Sequence, residues 1–271
     1  MRSTILQIIQ HNFIMKFSIL APLFLAVNVS AFSSVSPGVV SKTASWEIEQ
    51  ISPKQRIEGL TRHAFGFLDT NRDVVQVAME SPGARPLDTE INVWLGPDYT
   101  PYSLTCHSED GKNYPIQCLV GTKKKCVNVE VKNTGAYTHP MNAACSYAIS
   151  PLADAPKDIQ EEEGTYIEGG AVRMVPFPPE VDQLQVLLRT NGKQLKAKIE
   201  LLNGPNNVKQ EFEVYASNGE YTSLFLVFEM PGAGNAIRVK NLASLEYPLD
   251  MYYRASKTGL GLEAQRAGTW N

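Results

Sequence analysis

Many short stretches after residue 60 alternate apolar and polar residues with a period of two, which is the pattern of half-buried β-strands. Val127, Val129 and Val131, for example, alternate with polar residues. Prolines and glycines, seventeen and nineteen in number, interrupt these stretches at short intervals and indicate turns. The chain is therefore predicted to be all-β.

The pattern occurs twice, because two parts of the chain match at a constant offset. Residues 87–98 (LDTEINVWLGPD) match residues 195–206 (LKAKIELLNGPN), and residues 129–133 (VEVKN) match residues 237–241 (IRVKN). A register kept over a whole domain length indicates internal duplication. We therefore predict two tandem homologous domains, each β-sandwich-like.

The duplication sets the domain boundaries. Copy one covers residues 46–150, with strands expected near 60–67, 73–79, 88–95, 102–108, 114–120, 126–132 and 143–149. Copy two covers residues 166–256, with strands near 170–177, 183–189, 195–202, 210–216, 222–229, 236–240 and 249–254. Residues 151–165, with an acidic run, are interpreted as an exposed linker, and residues 257–271 as a tail outside the second core.

The first 45 residues have the composition of targeting segments. Residues 1–31 contain a basic start, a short apolar core and small residues, as in a signal peptide, and Met15 offers an alternative start. Residues 32–45 are rich in serine and contain no acid, as in a transit peptide. The junction Ala31-Phe32 resembles the cleavage motif of diatom plastid presequences. Plain secretion is the alternative, and no membrane span is expected in the mature chain.

Turn-forming residues recur in both copies and define the repeat. The positions are Gly96, Pro97, Asp110 and Gly111 in copy one, and Gly204, Pro205, Asn218 and Gly219 in copy two. Gly-Pro followed by Asp or Asn is typical of a turn. Asp-Gly and Asn-Gly between alternating stretches indicate hairpins, in which both turn residues have positive φ.

Comparison of the two copies argues against catalysis. The cysteines, Cys106, Cys118, Cys126 and Cys145, all lie in copy one, and their counterparts are apolar or loop residues. His107 and His139 correspond to tyrosines, and neither these nor His63 has the spacing of a metal site. We therefore predict no catalytic residue, no metal and no cofactor.

Charge excludes nucleic acid as the main partner. The net charge is only −3, and the one basic run, Lys123-Lys124-Lys125, is interpreted as a solvated turn.

Aromatic residues leave two hypotheses open. Trp94, Tyr99 and Tyr102 lie around the first Gly-Pro turn and would form a sugar-binding platform if the chain were a tandem binding module for polysaccharide or protein. Four apolar residues outside the predicted strands are candidate assembly contacts: Trp46, Leu260, Leu262 and Trp270. An enzyme that uses the cysteines and histidines of copy one ranks behind both hypotheses.

Three phrases resemble the diatom pyrenoid shell protein family: residues 142–149 (NAACSYAI), 167–173 (IEGGAVR) and 197–211 (AKIELLNGPNNVKQE). The resemblance covers residues 56–253. It implies a non-enzymatic structural protein that self-assembles into a sheet around the Rubisco-containing pyrenoid of a plastid and supports CO2 concentration. The implied partners are other copies of the chain and Rubisco or other matrix proteins, and the implied location is the stroma at the pyrenoid periphery.

Overall fold

Two antiparallel sheets pack face to face in the computed structural model, which describes residues 46–230 and 232–256. The first half of the chain contributes β1 (Lys54–Ile57), β2 (Arg62–Phe67), β3 (Val74–Glu80), β4 (Leu87–Leu95), β5 (Tyr99–Ser108), β6 (Ile116–Gly121), β7 (Val127–Asn133) and β8 (Met141–Tyr147). The second half contributes β9 (Thr165–Ile167), β10 (Val172–Pro176), β11 (Gln183–Arg189), β12 (Leu195–Asn203), β13 (Val208–Ala216), β14 (Leu224–Glu229), β15 (Asn235–Asn241) and β16 (Leu249–Ser256). The prediction of an all-β, sandwich-like fold is confirmed.

The described residues form eight strands in each half, although the sequence pattern predicted about seven. The additional strands are β1 and β9, which have only four and three residues. Each lies at an edge of a sheet, and β1 buries only its last residue, so neither produces a clear alternation of apolar and polar positions.

Both halves of the chain contribute to both sheets. Sheet one has the order β1-β8-β3-β6-β14-β11-β16-β9, and sheet two has the order β10-β15-β12-β13-β5-β4-β7-β2. The strands of the two halves can be matched in chain order, β1 with β9 through to β8 with β16. Each sheet then has the same order of matched strands whether it is followed from its first-half edge or from its second-half edge. We propose that this matching order reflects the duplication predicted from the sequence.

The halves are joined where equivalent strands pair. β6 pairs with β14 in sheet one, and β5 pairs with β13 in sheet two. Side chains reinforce the second junction: Lys209 Nζ lies 2.7 Å from Glu109 Oε2, and Gln210 Nε2 donates to the backbone oxygens of Tyr114 and Pro115 at 2.9 and 3.0 Å. Because Gln210 is fully buried, these hydrogen bonds are shielded from water.

One hydrophobic core runs between the sheets through both halves. Strand β7 shows how alternation builds it, because Val127, Val129 and Val131 point inward while the residues between them face outward. In the second half, Phe212 of sheet two meets Phe228 of sheet one edge to face, with ring centroids 5.4 Å apart. Burial of each such ring contributes roughly 2–3 kcal/mol.

Two segments of the chain itself cover the outer face of sheet one. A 3₁₀ turn at Ile48–Gln50 precedes β1, and Ile48 packs with Ile51 against Ala78 and Ala144. The segment between β8 and β9 contains the helix α1 (Ala155–Asp158) and a 3₁₀ turn at Ile159–Glu161.

This second segment corrects the prediction of an exposed linker at residues 151–165. Leu152, Ala155 and Ile159 are buried. Ala155 and Ile159 pack against Leu187 and Phe225 on the sheet. The acidic run at residues 161–163 indicated solvent exposure, whereas the apolar residues before it lie against the sheet.

The connection between β1 and β2 contains a strained residue. Leu60 has φ 63° and is 68% exposed, whereas the equivalent connection in the second half has Gly170 with φ 79°. A leucine pays a steric cost in this region that glycine does not.

We expect Leu60→Gly to raise the free energy of unfolding by about 0.5–1 kcal/mol, since it removes strain and loses little packing. Urea denaturation monitored by fluorescence would measure the change. Leu68→Gly is the matched control, because Leu68 is also largely exposed, at 77%, but lacks a positive φ, and it should destabilise slightly. Destabilisation by Leu60→Gly would contradict the strain argument.

Candidate assembly surfaces

The two Gly-Pro turns lie where the sequence predicts them, between β4 and β5 and between β12 and β13. Gly96 and Gly204 have φ values of 71° and 88°, in the left-handed region that favours glycine. Pro97 and Pro205 are exposed. These turns end the strands and leave their own side chains accessible.

The hairpin interpretation of Asp110-Gly111 and Asn218-Gly219 is wrong. β5 and β6 belong to different sheets, as do β13 and β14, so each turn crosses between the sheets. Neither glycine has a positive φ. Glycine is required for close packing instead: an added Cβ would lie 2.8 Å from the Cβ of Leu87 at Gly111, and 2.8 Å from that of Leu195 at Gly219.

The first residue of each of these two turns, Asp110 or Asn218, accepts hydrogen bonds from the backbone that follows it. Asp110 Oδ1 accepts the backbone N–H groups two and three residues later, at 3.0 and 3.2 Å. Asn218 Oδ1 accepts the equivalent groups at 3.0 and 3.3 Å. Both residues thus form Asx turns, in which a side chain replaces a backbone acceptor.

Two buried asparagines tie the ends of strands together, and the sequence analysis assigned them no role. Asn241 Nδ2 donates to the backbone oxygens of Ile167 and Tyr247 at 3.2 and 2.9 Å, and its Oδ1 accepts Ala243 N–H at 3.0 Å. Asn133 makes the equivalent three bonds in the first half, at 3.3, 2.8 and 3.0 Å. Both end the repeated phrase V-K-N, which is the signal that could have identified them.

The cysteines divide into a buried group and an exposed one. Cys106, Cys118 and Cys145 are buried in the core, which confirms their prediction as apolar packing residues, whereas Cys126 is exposed. All four are free thiols. Burial raises the pKa of Cys118 to about 12, and raises those of Cys106 and Cys145 well above the ordinary value.

We expect a thiol reagent such as DTNB to modify Cys126 alone in the folded protein at mildly alkaline pH. The thiolate is the reactive form, and a raised pKa keeps the buried thiols protonated as well as shielded. Absorbance should report one thiol per chain before denaturation and four after it, given the four cysteines of the sequence. Rapid reaction of a second thiol in folded protein would contradict this assignment.

The histidines are separate from one another. His63 lies on the edge strand β2, and His139 precedes β8. His107 is exposed on β5, where its Nδ1 lies 2.6 Å from Asp88 Oδ1. Among residues 46–230 and 232–256, no group of three or more His, Cys, Asp or Glu side chains is placed to hold a metal ion.

The proposed aromatic platform does not form. Tyr102 is fully buried in the core, so it cannot stack on a ligand. Tyr99 is about half exposed and its hydroxyl donates to Ser217 Oγ at 3.2 Å, while Trp94 is half-buried on β4. Three aromatic residues close in sequence are thus divided between the inside and the outside of sheet two.

Trp46 packs on its own chain. It is half-buried and lies against the apolar cluster on the outer face of sheet one that includes Leu119 and Phe225. Its indole N–H is buried without a hydrogen-bond partner among the described residues. The other candidate assembly contacts, Leu260, Leu262 and Trp270, lie outside the described residues.

The outer face of sheet two is polar and carries ion pairs. Lys198 Nζ lies 2.8 Å from Glu211 Oε1 and 3.5 Å from Glu200 Oε1, and Arg238 donates to the same Glu200. The hydrogen bond from Arg238 lowers the pKa of Glu200. The two faces of the molecule therefore differ: one is covered by the chain's own segments, and the other presents charged side chains.

Unpaired strand edges lie at both ends of the molecule. Within the described residues, β1 and β2 are the edges at the first half, and β9 and β10 are the edges at the second. Val172 and Met174 on β10 are 54% and 48% exposed. An exposed edge strand with apolar side chains is a template for pairing with another chain.

A known protein family matches nearly all of the described residues. A model of the diatom pyrenoid shell protein family matches residues 46–255, from the start of the first cover segment to the last described strand. The chain belongs to the diatom pyrenoid shell protein family. The resemblance drawn from the three phrases is thus confirmed, and membership gives the protein a structural role in the shell of the pyrenoid, a compartment of the plastid.

Other comparisons add little to the family assignment. No curated protein matches the shell protein. It is similar to the PBSX exported protein XepA, at 7% identity and a TM-score of 0.26, over 75% of this chain and 85% of that one. It is also similar to vicilin from Solanum lycopersicum (tomato), at 10% identity and a TM-score of 0.19, over 76% of this chain and 74% of that one. Among the described residues no helix is long and apolar enough to cross a membrane.

Proposed function

We propose that this shell protein has no enzymatic activity and self-assembles into a sheet that encases the Rubisco-containing pyrenoid, where it supports CO2 concentration and fixation. Family membership over residues 46–255 is the observation that carries the proposal. Other copies of the chain are the main partners, and Rubisco or another matrix protein contacts one side of the sheet.

The geometry supports assembly along at least one direction of a sheet. Edge strands at both ends allow a neighbour to dock on each side, and contacts between unlike surfaces extend indefinitely when the rotation between neighbours does not close a ring. The covered face and the charged face of the molecule differ, so a sheet of equally oriented copies would present different chemistry to its two sides.

The location follows from the targeting segments proposed at the N-terminus. Residues 1–31 would direct the chain to the secretory pathway and residues 32–45 would direct it on into the plastid stroma. A fusion of residues 1–45 to a fluorescent protein should accumulate in the plastid of a diatom, and accumulation outside the cell would contradict this route.

Negative-stain electron microscopy tests the proposed assembly. The purified chain should form sheets or tubes as its concentration is raised, because a lattice of weak contacts forms cooperatively above a threshold. Monodisperse particles at every concentration and salt condition would contradict self-assembly and favour the alternative of a tandem binding module.

The tail is proposed as an assembly segment, since it carries Leu260, Leu262 and Trp270 beyond the predicted second core. We expect deletion of residues 257–271 to weaken or abolish sheets in the same assay while the melting temperature changes little. Deletion of residues 2–14 is a control of similar length. Unchanged sheets in the tail deletion would contradict this role.

A further inference from the structure

An acidic cleft lies at one end of the outer face of sheet one. It has a volume of about 1000 Å³ and is bounded by the N-terminal cover segment, the loop before β6 and the loop after β14. Its lining includes five carboxyl-bearing residues and one lysine: Glu47, Glu49, Glu80, Asp182, Glu229 and Lys112. Lys54, beside the cleft, pairs with two of these acids, Glu49 and Glu80. The acids still outnumber the two lysines, so the cleft favours a cation.

The cleft contains buried polar atoms that a ligand with both a hydrogen-bond donor and an acceptor would satisfy. Gln117 is 6% exposed, and its Oε1 has no hydrogen-bond partner among the described residues. The indole N–H of Trp46 is also buried and unpartnered there. Unpaired buried groups of this kind are costly, so a ligand that donates to Gln117 and accepts from Trp46 would be stabilised.

The environment of the Glu229 carboxyl group indicates that a suitable ligand would be a cationic hydrogen-bond donor. Burial raises the pKa of Glu229, and the nearby charge of Asp182 raises it further, whereas the hydrogen bond from Gln183 at 3.1 Å opposes the shift. A positive charge placed beside Glu229 would favour its ionised form. A lysine supplies this charge, and the backbone that carries it supplies the carbonyl oxygen for Trp46.

The chain presents such a group on its lysine turn, which consists of Lys123, Lys124 and Lys125 between β6 and β7. Lys124 and Lys125 are exposed, and none of the three forms an ion pair with a carboxylate of the described residues. Lys123 lies over the ring of Tyr221, 5.6 Å from its centroid.

The backbone of the lysine turn is unfavourable for lysine. Lys123 and Lys124 have φ values of 56° and 54°, whereas Gly232, which corresponds to Lys124 in the repeat, is a glycine with φ 82°. Lys124 thus lies where glycine would be less strained, and its side chain is exposed to solvent.

A chain cannot insert its lysine turn into its own acidic cleft. The turn follows Gly121, which pairs with Val74 at one end of β3, whereas the cleft lies beside Met79 and Ile116 at the other end. The two surfaces are thus at opposite ends of sheet one, and a second copy is needed to bring them together.

We propose that the lysine turn of one copy inserts into the acidic cleft of a second copy, as a head-to-tail contact of the assembled sheet. This inference rests on the proposed self-assembly and adds the charged contact that sets the register between neighbours. Because the contact joins unlike surfaces, each copy can make it twice, once with its turn and once with its cleft.

Charge exchange in the full chain tests the contact. Lys124→Glu/Lys125→Glu places acids opposite the cleft, and Asp182→Lys/Glu229→Lys places bases opposite the turn. Each variant should raise the concentration needed for sheets at least about tenfold, because like charges across an interface are strongly unfavourable. A mixture of the two variants should recover assembly, since the acidic turn of one then meets the basic cleft of the other.

Two further variants separate the contact from folding and from general charge effects. Lys123→Gly/Lys124→Gly removes charge while easing the backbone, so it should impair assembly without lowering the melting temperature. Lys196→Glu/Lys240→Glu changes two exposed lysines on the outer face of sheet two and should leave assembly unchanged.

The outcomes are distinct. Normal assembly of both charge-reversed variants, no recovery on mixing, or an equal defect in the Lys196→Glu/Lys240→Glu control would each overturn the contact while leaving self-assembly intact. Failure of the unmodified chain to assemble would overturn the proposed function and the contact together.

Discussion

Gly169→Ala is expected to lower the free energy of unfolding by about 3 kcal/mol or to prevent folding, because a methyl group has no space there. A Cβ at this position would lie 1.9 Å from the backbone oxygen of Ser244 and 2.6 Å from the nitrogen of Leu245. Backbone atoms cannot rotate away as a side chain can, so the connection between β9 and β10 would have to separate from the loop before β16.

The equivalent glycine of the first half provides a second test. At Gly59 a Cβ would lie 2.2 Å from the backbone oxygen of Ala136, so Gly59→Ala should have a similar effect. Gly83→Ala is the control, since it has no atom within 4 Å and no positive φ, and it should change stability by less than about 0.5 kcal/mol. Urea denaturation measures all three, and near-neutral values for Gly59→Ala and Gly169→Ala would show that the two loops are not closely packed.

The repeat in the sequence marks these glycines as equivalent but does not show their role. Residues 57–59 and 167–169 share the phrase I-E-G, so the repeat marks them as equivalent. Their contacts are made with loops about 75 residues further along the chain, and a pattern of neighbouring residues has no information about such distant partners. The same limit applies to Gly111 and Gly219, where a local turn signal led to the wrong hairpin.

Strand positions were predictable because alternation is a local property. The sequence placed β7 and β12 almost to the residue, since each alternates buried and outward-facing side chains along most of its length. It gave no indication that β6 would pair with β14 and β5 with β13. Neither the continuous apolar run of β14 nor the alternation of β5 and β13 identifies the strand that lies alongside.

The candidate surfaces were the least predictable part. The sequence predicts a solvated turn at Lys123, Lys124 and Lys125, and the exposure of Lys124 and Lys125 agrees with it, whereas Lys123 is half-buried. The cleft proposed to bind them combines residues from positions 46 to 232, which are brought together only by the pairing of distant strands in sheet one. The role proposed for the lysine turn therefore depends on the acidic cleft, which the sequence alone did not reveal.

Asn241→Ala is expected to lower the free energy of unfolding by about 3 kcal/mol, because the substitution leaves two backbone oxygens and one N–H group without partners in a buried site. Asn133→Ala removes the equivalent bonds and should cost about the same. Asn128→Ala, on the outer face of β7, is the control and should change stability by less than about 0.5 kcal/mol.

The shape of these unfolding curves tests how the two halves depend on each other. Both halves share two continuous sheets and one core, so each variant should shift a single transition observed by circular dichroism and fluorescence together. If each half folded independently, Asn241→Ala would instead split the curve and shift only one of two steps. A single shifted transition for both variants would mean that the two halves unfold as one cooperative unit.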